Sequence, residues 1–541
     1  MGGNRVLTVK RRLALVGILV AGAVPAGVPA ATADTGAADV AAVAAVEWGP
    51  CTEDTQAMLP AETAGQYSCG TYRVPIDHDN AALGTIDLAL LRRAADEPGR
   101  RIGSLFLNPG GPGGPGRTMP IAAESFLEPR VLDRFDVVGF DPRGVGESAP
   151  LRCFTTGEDS SEVFSRAVHV PQTLREISDT LATFRDYGGF CERNAGSLLR
   201  HMSTKDVARD LDLLRAAVGD AKLNYVGFSY GTLLGATYAN MYPENTRALV
   251  LDGNVDPELR TGDGLRYDRE RARGFEYALD AFLDACKRAA PRCAFGEGSP
   301  RQKFDELLRR VREKPVKLPD GTKVDLSTLV NGVGGALYSP GAFTGLAEDL
   351  QKVYGVAVPS ANTKLTALTG RDIGTLLNPP SNVRHDVRPD SAYTGHDSYF
   401  AVNCSDKSFR HTQDRLPVLA GEWERKSPVF GRYQAFADPA GCPVWPGGTD
   451  AYRGPWNGET EQPVLVIGNY YDPATQYRFA ERMADQLGHA RLLSVDAFGH
   501  CILGDSDGVD KAVGDYLVNL TVPPPGQVYE PNERPFAAGP S

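Results

Sequence analysis

The amino-acid sequence predicts an α/β fold with a mostly parallel β-sheet, helices on both of its faces and a largely helical insertion. Short apolar segments alternate with helical stretches, several of these segments end in Gly- and Pro-rich loops, and one long segment interrupts the alternation. Strands buried on both faces read as continuous apolar runs, and parallel strands need a crossover between them. The 541 residues, of which 42% are hydrophobic and 23% charged, are sufficient for such a core.

The N-terminal 33 residues have the pattern of a secretory signal peptide. Basic residues precede an apolar run over 13–24, and a stretch of small residues ends at Ala33. The apolar run is shorter than the ~20 residues that a membrane-spanning helix needs, which argues against a membrane anchor. We therefore expect residues 1–33 to be removed, 34–46 to form a leader or short pro-segment, and the protein to be secreted without stable membrane insertion.

Nine cysteines in an exported chain indicate disulfide bonds. Cys501 is left over when the others are paired, and we interpret it as a packed thiol rather than as a nucleophile. A metal site is not expected, because the chain has no C-x-x-C pair and no H-E-x-x-H motif and its eight histidines are scattered. The order of the cysteines suggests four local pairs: Cys51 with Cys69, Cys153 with Cys191, Cys286 with Cys293, and Cys404 with Cys442.

The first part of the sheet is predicted by short apolar segments separated by turns, loops or helices. Two strands surround a turn at 78–80. A later helical stretch, with Thr204 as its N-cap, has apolar residues at helical spacing and leads into another strand. The strands predicted here are 86–92, 104–107, 135–140, 223–226 and 248–251.

The alternation breaks in the middle of the chain, where helical stretches over 276–288 and 303–312 mix with loops rich in Pro, Gly and Asn. We interpret 257–458 as a cap domain inserted into a core that comprises 47–256 and 459–520. The elements predicted after the insertion are strands 464–468 and 491–495, helices 476–487 and 509–520, and a Pro-rich surface tail over 521–541.

The segment 227–231 reads G-F-S-Y-G and joins a predicted strand to a helix over 232–241. A strand-to-helix turn this tight needs small residues on either side of the serine, and it exposes the serine Oγ above the sheet. Because the motif alone is common in a glycine-rich chain, the flanking strand and helix decide the interpretation. Ser229 is therefore the predicted nucleophile.

A serine hydroxyl needs a base to accept its proton, and that base needs an acid to orient it. In the chain order serine, acid, histidine, the two partners should follow late strands, which selects Asp472 and His500. Asp252 is the rival acid, because it follows the strand over 248–251. His489 precedes the last predicted strand, so we expect it at the opposite edge of the sheet.

Catalysis by serine also needs hydrogen-bond donors for the oxyanion, each worth about 2.7–4 kcal/mol. The N–H group that follows the nucleophile belongs to Tyr230. A second donor is expected in the loop 108–114 (N-P-G-G-P-G-G), where Gly110 and Gly111 are candidates and we favour Gly111. The loop lacks the Lys-Ser/Thr of a P-loop and the spacing G-x-G-x-x-G, so no nucleotide is expected.

In combination, these motifs resemble the secreted tripeptidyl aminopeptidases of actinomycetes, which belong with the prolyl aminopeptidases among the α/β-hydrolase serine exopeptidases. The resemblance implies an α/β-hydrolase fold, a triad of Ser229, Asp472 and His500, and an oxyanion hole formed by Gly111 and Tyr230. The resemblance covers about 48–520 and is carried by 108–113, 141–148 (D-P-R-G-V-G-E-S), 223–232 (L-N-Y-V-G-F-S-Y-G-T), 401–406 (A-V-N-C-S-D), Asp472 and His500. Pro109 stands where prolyl aminopeptidases carry His, which favours the tripeptidyl group.

The resulting hypothesis is a secreted, monomeric serine exopeptidase that hydrolyses peptides near their free N-termini, releases tripeptides through an acyl-enzyme and needs no cofactor. The cap over 257–458 is expected to cover the site and to admit only free N-termini. Because a buried ammonium group needs an anionic partner, the substrate pocket should contain a carboxylate. Asp406, Glu276 and Asp256 are the candidates.

Three other classes of function fit the sequence less well. A carboxylesterase or lipase with the same fold is the main alternative, since a triad does not distinguish esters from amides, but the acidic composition and the charged cap argue against a lipase. The excess of 68 Asp and Glu over 57 Lys and Arg, a net charge of −11, argues against nucleic acid as a partner. A binding protein without chemistry should lack part of the triad, and here every part is present.

Overall fold

The computed structural model describes residues 44–358, 369–378, 393, 395 and 397–537; the predicted signal peptide and most of the predicted leader lie outside this part of the chain. The strands are β1 (Tyr67–Pro75), β2 (Thr85–Arg93), β3 (Gly103–Asn108), β4 (Phe135–Phe140), β5 (Leu223–Phe228), β6 (Thr246–Asp252), β7 (Val316–Lys317), β8 (Lys323–Val324), β9 (Val464–Tyr471), β10 (Ala490–Phe498) and β11 (Val528–Tyr529). The helices are α1 (Glu53–Gln56), α2 (Pro129–Arg134), α3 (Gly157–Phe164), α4 (Leu174–Asn194), α5 (Thr204–Ala217), α6 (Gly231–Met241), α7 (Pro257–Gly262), α8 (Gly264–Ala289), α9 (Pro300–Glu313), α10 (Leu326–Ala336), α11 (Phe343–Ala357), α12 (Gly374–Leu377), α13 (Ser398–Asp406), α14 (Leu416–Lys426), α15 (Gly431–Ala435), α16 (Asp438–Gly441), α17 (Tyr477–Leu487) and α18 (Asp507–Asn519).

The main sheet has the strand order β1-β2-β4-β3-β5-β6-β9-β10-β11. β2 runs antiparallel to β1 and β4, and the other neighbouring strands are parallel. Successive side chains of a strand point to opposite faces. Leu105 and Leu107 of β3 accordingly pack in a core with α2 and α18, whereas Phe106 packs in a second core with α5, α6 and α17. The predicted α/β fold, with helices on both faces, is confirmed.

The predicted core strands all lie within observed ones, but two details differ. α5 begins at Thr204, and its N-cap is Ser203, whose Oγ accepts a hydrogen bond from the Asp206 N–H. Ser and Thr are both good N-cap residues. Ser203 is the cap here because its backbone is extended, whereas Thr204 is already helical. The described part of the predicted C-terminal tail also contains β11, an edge strand too short to show a periodic pattern.

The segment between β6 and β9 contributes no strand to the main sheet in its described residues. It contains α7 to α16 and the β7–β8 hairpin. A separate hydrophobic core is formed there by α8, α9, α10 and α11. This is the segment that the sequence suggests is a cap, and its role as one belongs to the proposal below.

The four predicted cysteine pairs are all disulfide-bonded, and Cys501 is the free cysteine. Among the described helices, none is both long and apolar enough to cross a membrane. Within the same ranges, no three His, Cys, Asp or Glu side chains are grouped so that they could hold a metal ion.

The loop after β4 contains a fully buried arginine that joins three parts of the core. The Arg143 guanidinium donates to both carboxylate oxygens of Asp210 on α5, at 2.7 Å each. It also donates to the carbonyl oxygens of Pro75 and Ile76 at the end of β1, and to that of His201 before α5. Arg143 therefore connects the antiparallel edge of the sheet to α5.

We expect Asp210→Ala to lower the free energy of unfolding by about 3–5 kcal/mol, because it leaves the buried guanidinium without its bidentate partner. Urea denaturation measures the change. Asp87→Ala is the matched control, because its ion pair with Arg73 is exposed and we expect no measurable loss. Equal effects of the two substitutions would show that the buried pair is not important for stability.

Candidate active site

Ser229 lies in the turn between β5 and α6. Its φ is +56°, a left-handed conformation that residues with a side chain rarely adopt. The Ser229 N–H donates to the carbonyl oxygen of Asp252 at the end of β6, at 2.8 Å. The Ser229 carbonyl oxygen accepts hydrogen bonds from the Thr232 N–H at 2.9 Å and from its hydroxyl at 2.6 Å. These contacts hold the strained turn in place.

Glycines allow the backbone to pack closely around this turn. A Cβ on Gly227 would lie 2.5 Å from the carbonyl oxygen of Gly231. A Cβ on Gly110, in the glycine loop after β3, would lie 2.3 Å from the carbonyl oxygen of Phe228. Neither separation is possible for a real side chain. The turn is therefore as crowded as its sequence predicts, and the glycine loop lies directly against it.

Asp472 follows β9 and His500 follows β10, and the two side chains meet. His500 Nδ1 lies 2.8 Å from Asp472 Oδ2. Asp472 is 1% exposed, and its Oδ1 accepts hydrogen bonds from the backbone N–H groups of Ala474 and Thr475, at 2.8 Å each. The Thr475 hydroxyl donates to Asp472 Oδ2 at 2.9 Å. The carboxylate is thus held in one orientation toward the imidazole.

The Asp472–His500 pair shifts the pKa values of both groups in the direction that stabilises opposite charges. Burial raises the pKa of Asp472, but the charge of His500 and the hydrogen bonds from His500 and Thr475 outweigh burial and hold this pKa below its ordinary value. Burial lowers the pKa of His500, but the carboxylate of Asp472 outweighs burial, and the pKa of His500 lies above its ordinary value. The pair can therefore stabilise an imidazolium ion.

His500 Nε2 points away from this pair. It is buried and has no hydrogen-bond partner in the described part of the protein, so it is not bonded to Ser229 Oγ. A nucleophile and its base are often too far apart for a hydrogen bond in an unliganded structure and approach only when substrate is bound. The Nε2 atom is free to take up a proton.

The sequence offers three backbone N–H groups as donors to the oxyanion, those of Gly110, Gly111 and Tyr230. The Gly110 N–H is already engaged, because it donates to Asn108 Oδ1 at 3.0 Å. The N–H groups of Gly111 and Tyr230 do not donate to any acceptor in the described residues. This geometry supports the choice of Gly111 over Gly110 as the partner of Tyr230.

The rival residues have other contacts. Asp252 Oδ2 accepts hydrogen bonds from the two backbone N–H groups that follow Cys501, rather than from an imidazole. Cys501 Sγ donates to the Asp252 carbonyl oxygen at 3.4 Å, and burial raises the thiol pKa well above its ordinary value. His489 precedes β10, and its Nδ1 lies 2.8 Å from the carbonyl oxygen of Thr460. None of the three takes the place of Asp472 or His500.

The three carboxylates considered for the substrate amine are engaged elsewhere. Asp406 accepts hydrogen bonds from the N–H and hydroxyl of Thr204, at 2.9 and 2.5 Å, and so binds the first residue of α5. Glu276 accepts hydrogen bonds from two successive backbone N–H groups before α15. Asp256 caps α7 and pairs with Arg482 at 2.9 Å. The geometry therefore does not favour any of them as an amine-binding group.

Two further buried carboxylates, which the sequence did not single out, share one lysine. Asp268 on α8 and Asp438 on α16 both accept hydrogen bonds from Lys407 Nζ, at 2.8 and 2.5 Å. Asp268 Oδ2 and Asp438 Oδ1 are buried and have no hydrogen-bond partner in the described residues. Tyr399 lies close to both carboxylates, because burial and the charges of Asp438 and Asp268 raise its pKa. The backbone of Tyr399 packs against the glycine loop, since its nitrogen would lie 3.0 Å from a Cβ on Gly113.

The inserted segment also contacts the loops that carry the acid and the base. The His500 N–H donates to the Tyr338 carbonyl oxygen at 2.8 Å, and the two rings meet edge to face with centroids 5.2 Å apart. Arg271 Nε on α8 donates to the Ala474 carbonyl oxygen at 3.3 Å. The position of the imidazole thus depends on both the core and the inserted segment.

Two family models match this chain. Residues 103–290 match the model described as alpha/beta hydrolase fold. Residues 427–529 match the model described as TAP-like protein. The first match contains Ser229, and the second contains Asp472 and His500.

Curated relatives match almost the whole chain. Serine protease Hip1 of Mycobacterium tuberculosis is 30% identical over 495 residues, which are 89% of this chain and 90% of the relative. Tripeptidyl aminopeptidase of Streptomyces coelicolor is 30% identical over 478 residues, which are 86% and 82% of the two chains. Carboxylesterase B of Mycobacterium tuberculosis is 32% identical over 495 residues, which are 88% of each chain. The protein is a serine hydrolase, and it belongs to the tripeptidyl aminopeptidase-like family of the α/β-hydrolase superfamily.

Proposed function

We propose that this protein is a secreted serine exopeptidase that releases tripeptides from the free N-termini of peptides. The observation that carries the proposal is the hydrogen bond of 2.8 Å between His500 Nδ1 and the buried carboxylate of Asp472, in loops at the same edge of the sheet as the Ser229 turn. The relatives named serine protease and tripeptidyl aminopeptidase support peptides as the substrate class.

In the proposed mechanism, Ser229 Oγ attacks the carbonyl carbon of the scissile bond while His500 Nε2 takes up the hydroxyl proton. The N–H groups of Gly111 and Tyr230 donate to the oxyanion that forms. His500 then gives the proton to the leaving amine, and an acyl-enzyme remains on Ser229. A water molecule, deprotonated by His500, releases the acyl group. Asp472 holds the imidazole tautomer and stabilises the imidazolium ion in both half-reactions.

Asp268 and Asp438 are the proposed binding site for the substrate's free amine. Each carboxylate uses one oxygen to pair with Lys407 and keeps the other without a partner. An ammonium group that approaches the two free oxygens would give them the donors that they lack. Tyr399 connects this pair to the glycine loop, which is the loop that supplies Gly111.

The segment that contains these carboxylates acts, in this proposal, as the cap that selects free N-termini. Its contacts with the His500 loop and with Gly113 support a position over the site. Secretion is supported by the signal-peptide pattern and by the four disulfide bonds, which are typical of oxidising compartments.

A carboxylesterase is the second candidate, favoured by the relative named carboxylesterase B. The triad would serve either reaction, because it does not distinguish an ester from an amide. The free oxygens of Asp268 and Asp438 favour the peptidase, since a neutral ester offers no cation to them.

We expect a chromogenic amide of a tripeptide with a free N-terminus to be hydrolysed faster than the corresponding amides of one or two residues. Acetylation of the N-terminus should abolish the reaction, because it removes the ammonium charge. The measurement is the initial rate of hydrolysis of the amides of one, two and three residues, each with a free or an acetylated N-terminus, and of a short-chain p-nitrophenyl ester. Ser229→Ala is the control and should lose activity by about 10⁴-fold or more. Hydrolysis of the ester alone would support the carboxylesterase.

The pH dependence tests the Asp472–His500 pair. His500 must be neutral to accept a proton, so activity is lost as the pH falls through its pKa. Asp472→Asn removes the charge that raises this pKa, so the acidic limb of kcat/KM should move to lower pH. We expect kcat to fall by about 10⁴-fold, because the tautomer is no longer held. Asp496→Asn on β10 is the control. If the acidic limb of kcat/KM stays at the wild-type pH in Asp472→Asn, Asp472 is not the acid that acts on His500.

Asp268→Asn and Asp438→Asn test the amine site. Each substitution keeps the shape of the side chain and removes a charge that the ammonium group needs. We expect kcat/KM for the free tripeptide amide to fall by about 30-fold or more, the loss typical of a buried charge pair, while hydrolysis of the p-nitrophenyl ester stays within about 3-fold. Equal losses on both substrates would indicate a structural role for these carboxylates instead.

A further inference from the structure

Asp252 is a buried carboxylate that the proposed mechanism leaves unused. It ends β6, is 1% exposed, and keeps Oδ1 buried without a hydrogen-bond partner in the described residues. Its Oδ2 faces backbone N–H groups rather than His500 Nδ1, so it does not act as the acid of the triad. Its contacts nevertheless reach both the nucleophile and the base.

Two residues with positive φ flank the reaction centre. Ser229 has φ +56°, and Cys501, which directly follows His500, has φ +68°. A non-glycine residue in this region costs of order 1–3 kcal/mol and persists only where surrounding contacts hold it. The strained turns are far apart in sequence, but they must stay in register if Ser229 is to pass its proton to His500.

Asp252 binds both strained turns. Its carbonyl oxygen accepts a hydrogen bond from the Ser229 N–H at 2.8 Å and one from Cys501 Sγ at 3.4 Å. Its Oδ2 accepts hydrogen bonds from the N–H groups of Ile502 at 2.8 Å and Leu503 at 3.0 Å. The two N–H groups that follow Cys501 therefore bind the left-handed turn to the Asp252 carboxylate.

The surroundings leave the His500 loop little freedom on either side of this contact. Asn469 Nδ2 on β9 donates to the carbonyl oxygens of Gly499 at 3.1 Å and Cys501 at 2.8 Å. A Cβ on Gly253, the residue after Asp252, would lie 2.7 Å from Cys501 Sγ and 3.1 Å from His500 Cε1. Asn469 thus binds carbonyl groups of the loop, and Asp252 binds its N–H groups.

We propose that Asp252 is a positioning residue that sets the separation between Ser229 Oγ and His500 Nε2 by binding the turns that carry both. The inference rests on the proposed function, because it assumes that these two atoms exchange a proton. Asp252 touches neither substrate nor the reacting atoms. Its loss should therefore lower the rate of proton transfer and leave substrate binding largely unchanged.

The experiment measures how fast a small fluorophosphonate labels Ser229, together with kcat and KM for the tripeptide amide with a free N-terminus. Labelling depends on the Ser229–His500 geometry but not on a peptide pocket. We expect Asp252→Ala to slow labelling and lower kcat by about 100-fold, as for a misplacement of about 1 Å, with KM within about 3-fold of wild type. Asp252→Asn should keep both rates within about 10-fold, because its amide oxygen can accept the same two hydrogen bonds.

Asp220→Ala is the matched control. It removes a carboxylate that also accepts a backbone N–H, that of Ser104, but at the start of β3 and hence at the opposite edge of the sheet. Its labelling rate should equal that of wild type. If Asp252→Ala does not fold, Asp252→Ser, which has a shorter polar side chain, takes its place with the same expected loss.

Two results would overturn the inference, and they can be told apart. A folded Asp252→Ala or Asp252→Ser protein that is labelled at the wild-type rate would show that Asp252 does not position the pair. Absence of labelling at Ser229 in the wild-type protein would refute the proposed function itself, and the inference with it. The second result is read from the wild type alone, before any Asp252 variant is compared.

Discussion

The candidate site depends on how closely backbone segments approach one another where the parallel strands end. Gly110 lies against the Phe228 carbonyl, and Gly227 lies against the turn that it precedes, at separations that exclude any side chain. The glycine loop therefore packs directly against the Ser229 turn. The donors that we propose for the oxyanion are accordingly backbone N–H groups, those of Gly111 and Tyr230.

Two buried carboxylates near His500 have different hydrogen-bond partners. Asp472 bonds to the imidazole, so its charge acts on the protonation state of the base. Asp252 accepts hydrogen bonds from backbone N–H groups, so in our proposal its acceptor oxygen holds a loop. In our proposal, two aspartates at the ends of neighbouring strands thus have different roles: Asp472 acts on the protonation of the base, and Asp252 acts on its position. Position along the chain could suggest either residue as the acid, and the atoms that face each carboxylate decide.

The sequence predicted those features that follow from local patterns. Apolar runs identified the core strands, the turn around Ser229 required small residues, and chain order with strand position selected Asp472 and His500. The pair proposed to bind the amine was not predicted, because Asp268 and Asp438 are far apart in sequence and are brought together in the fold around Lys407. The contact of Asp406 with Thr204 on α5 was likewise not predicted, because the two residues are about 200 positions apart in sequence. Contacts between residues far apart in sequence leave no periodic signal in either segment.

The contact between Tyr338 and His500 has a consequence for how such enzymes diverge. The inserted segment supplies the carbonyl group that holds the His500 backbone. In the proposed mechanism it therefore supports the general base in addition to covering the site. An exchange of this segment between relatives would change selectivity and turnover together. We therefore expect insertions that alter the substrate range to keep this backbone contact, so that the inserted segment and the core change together.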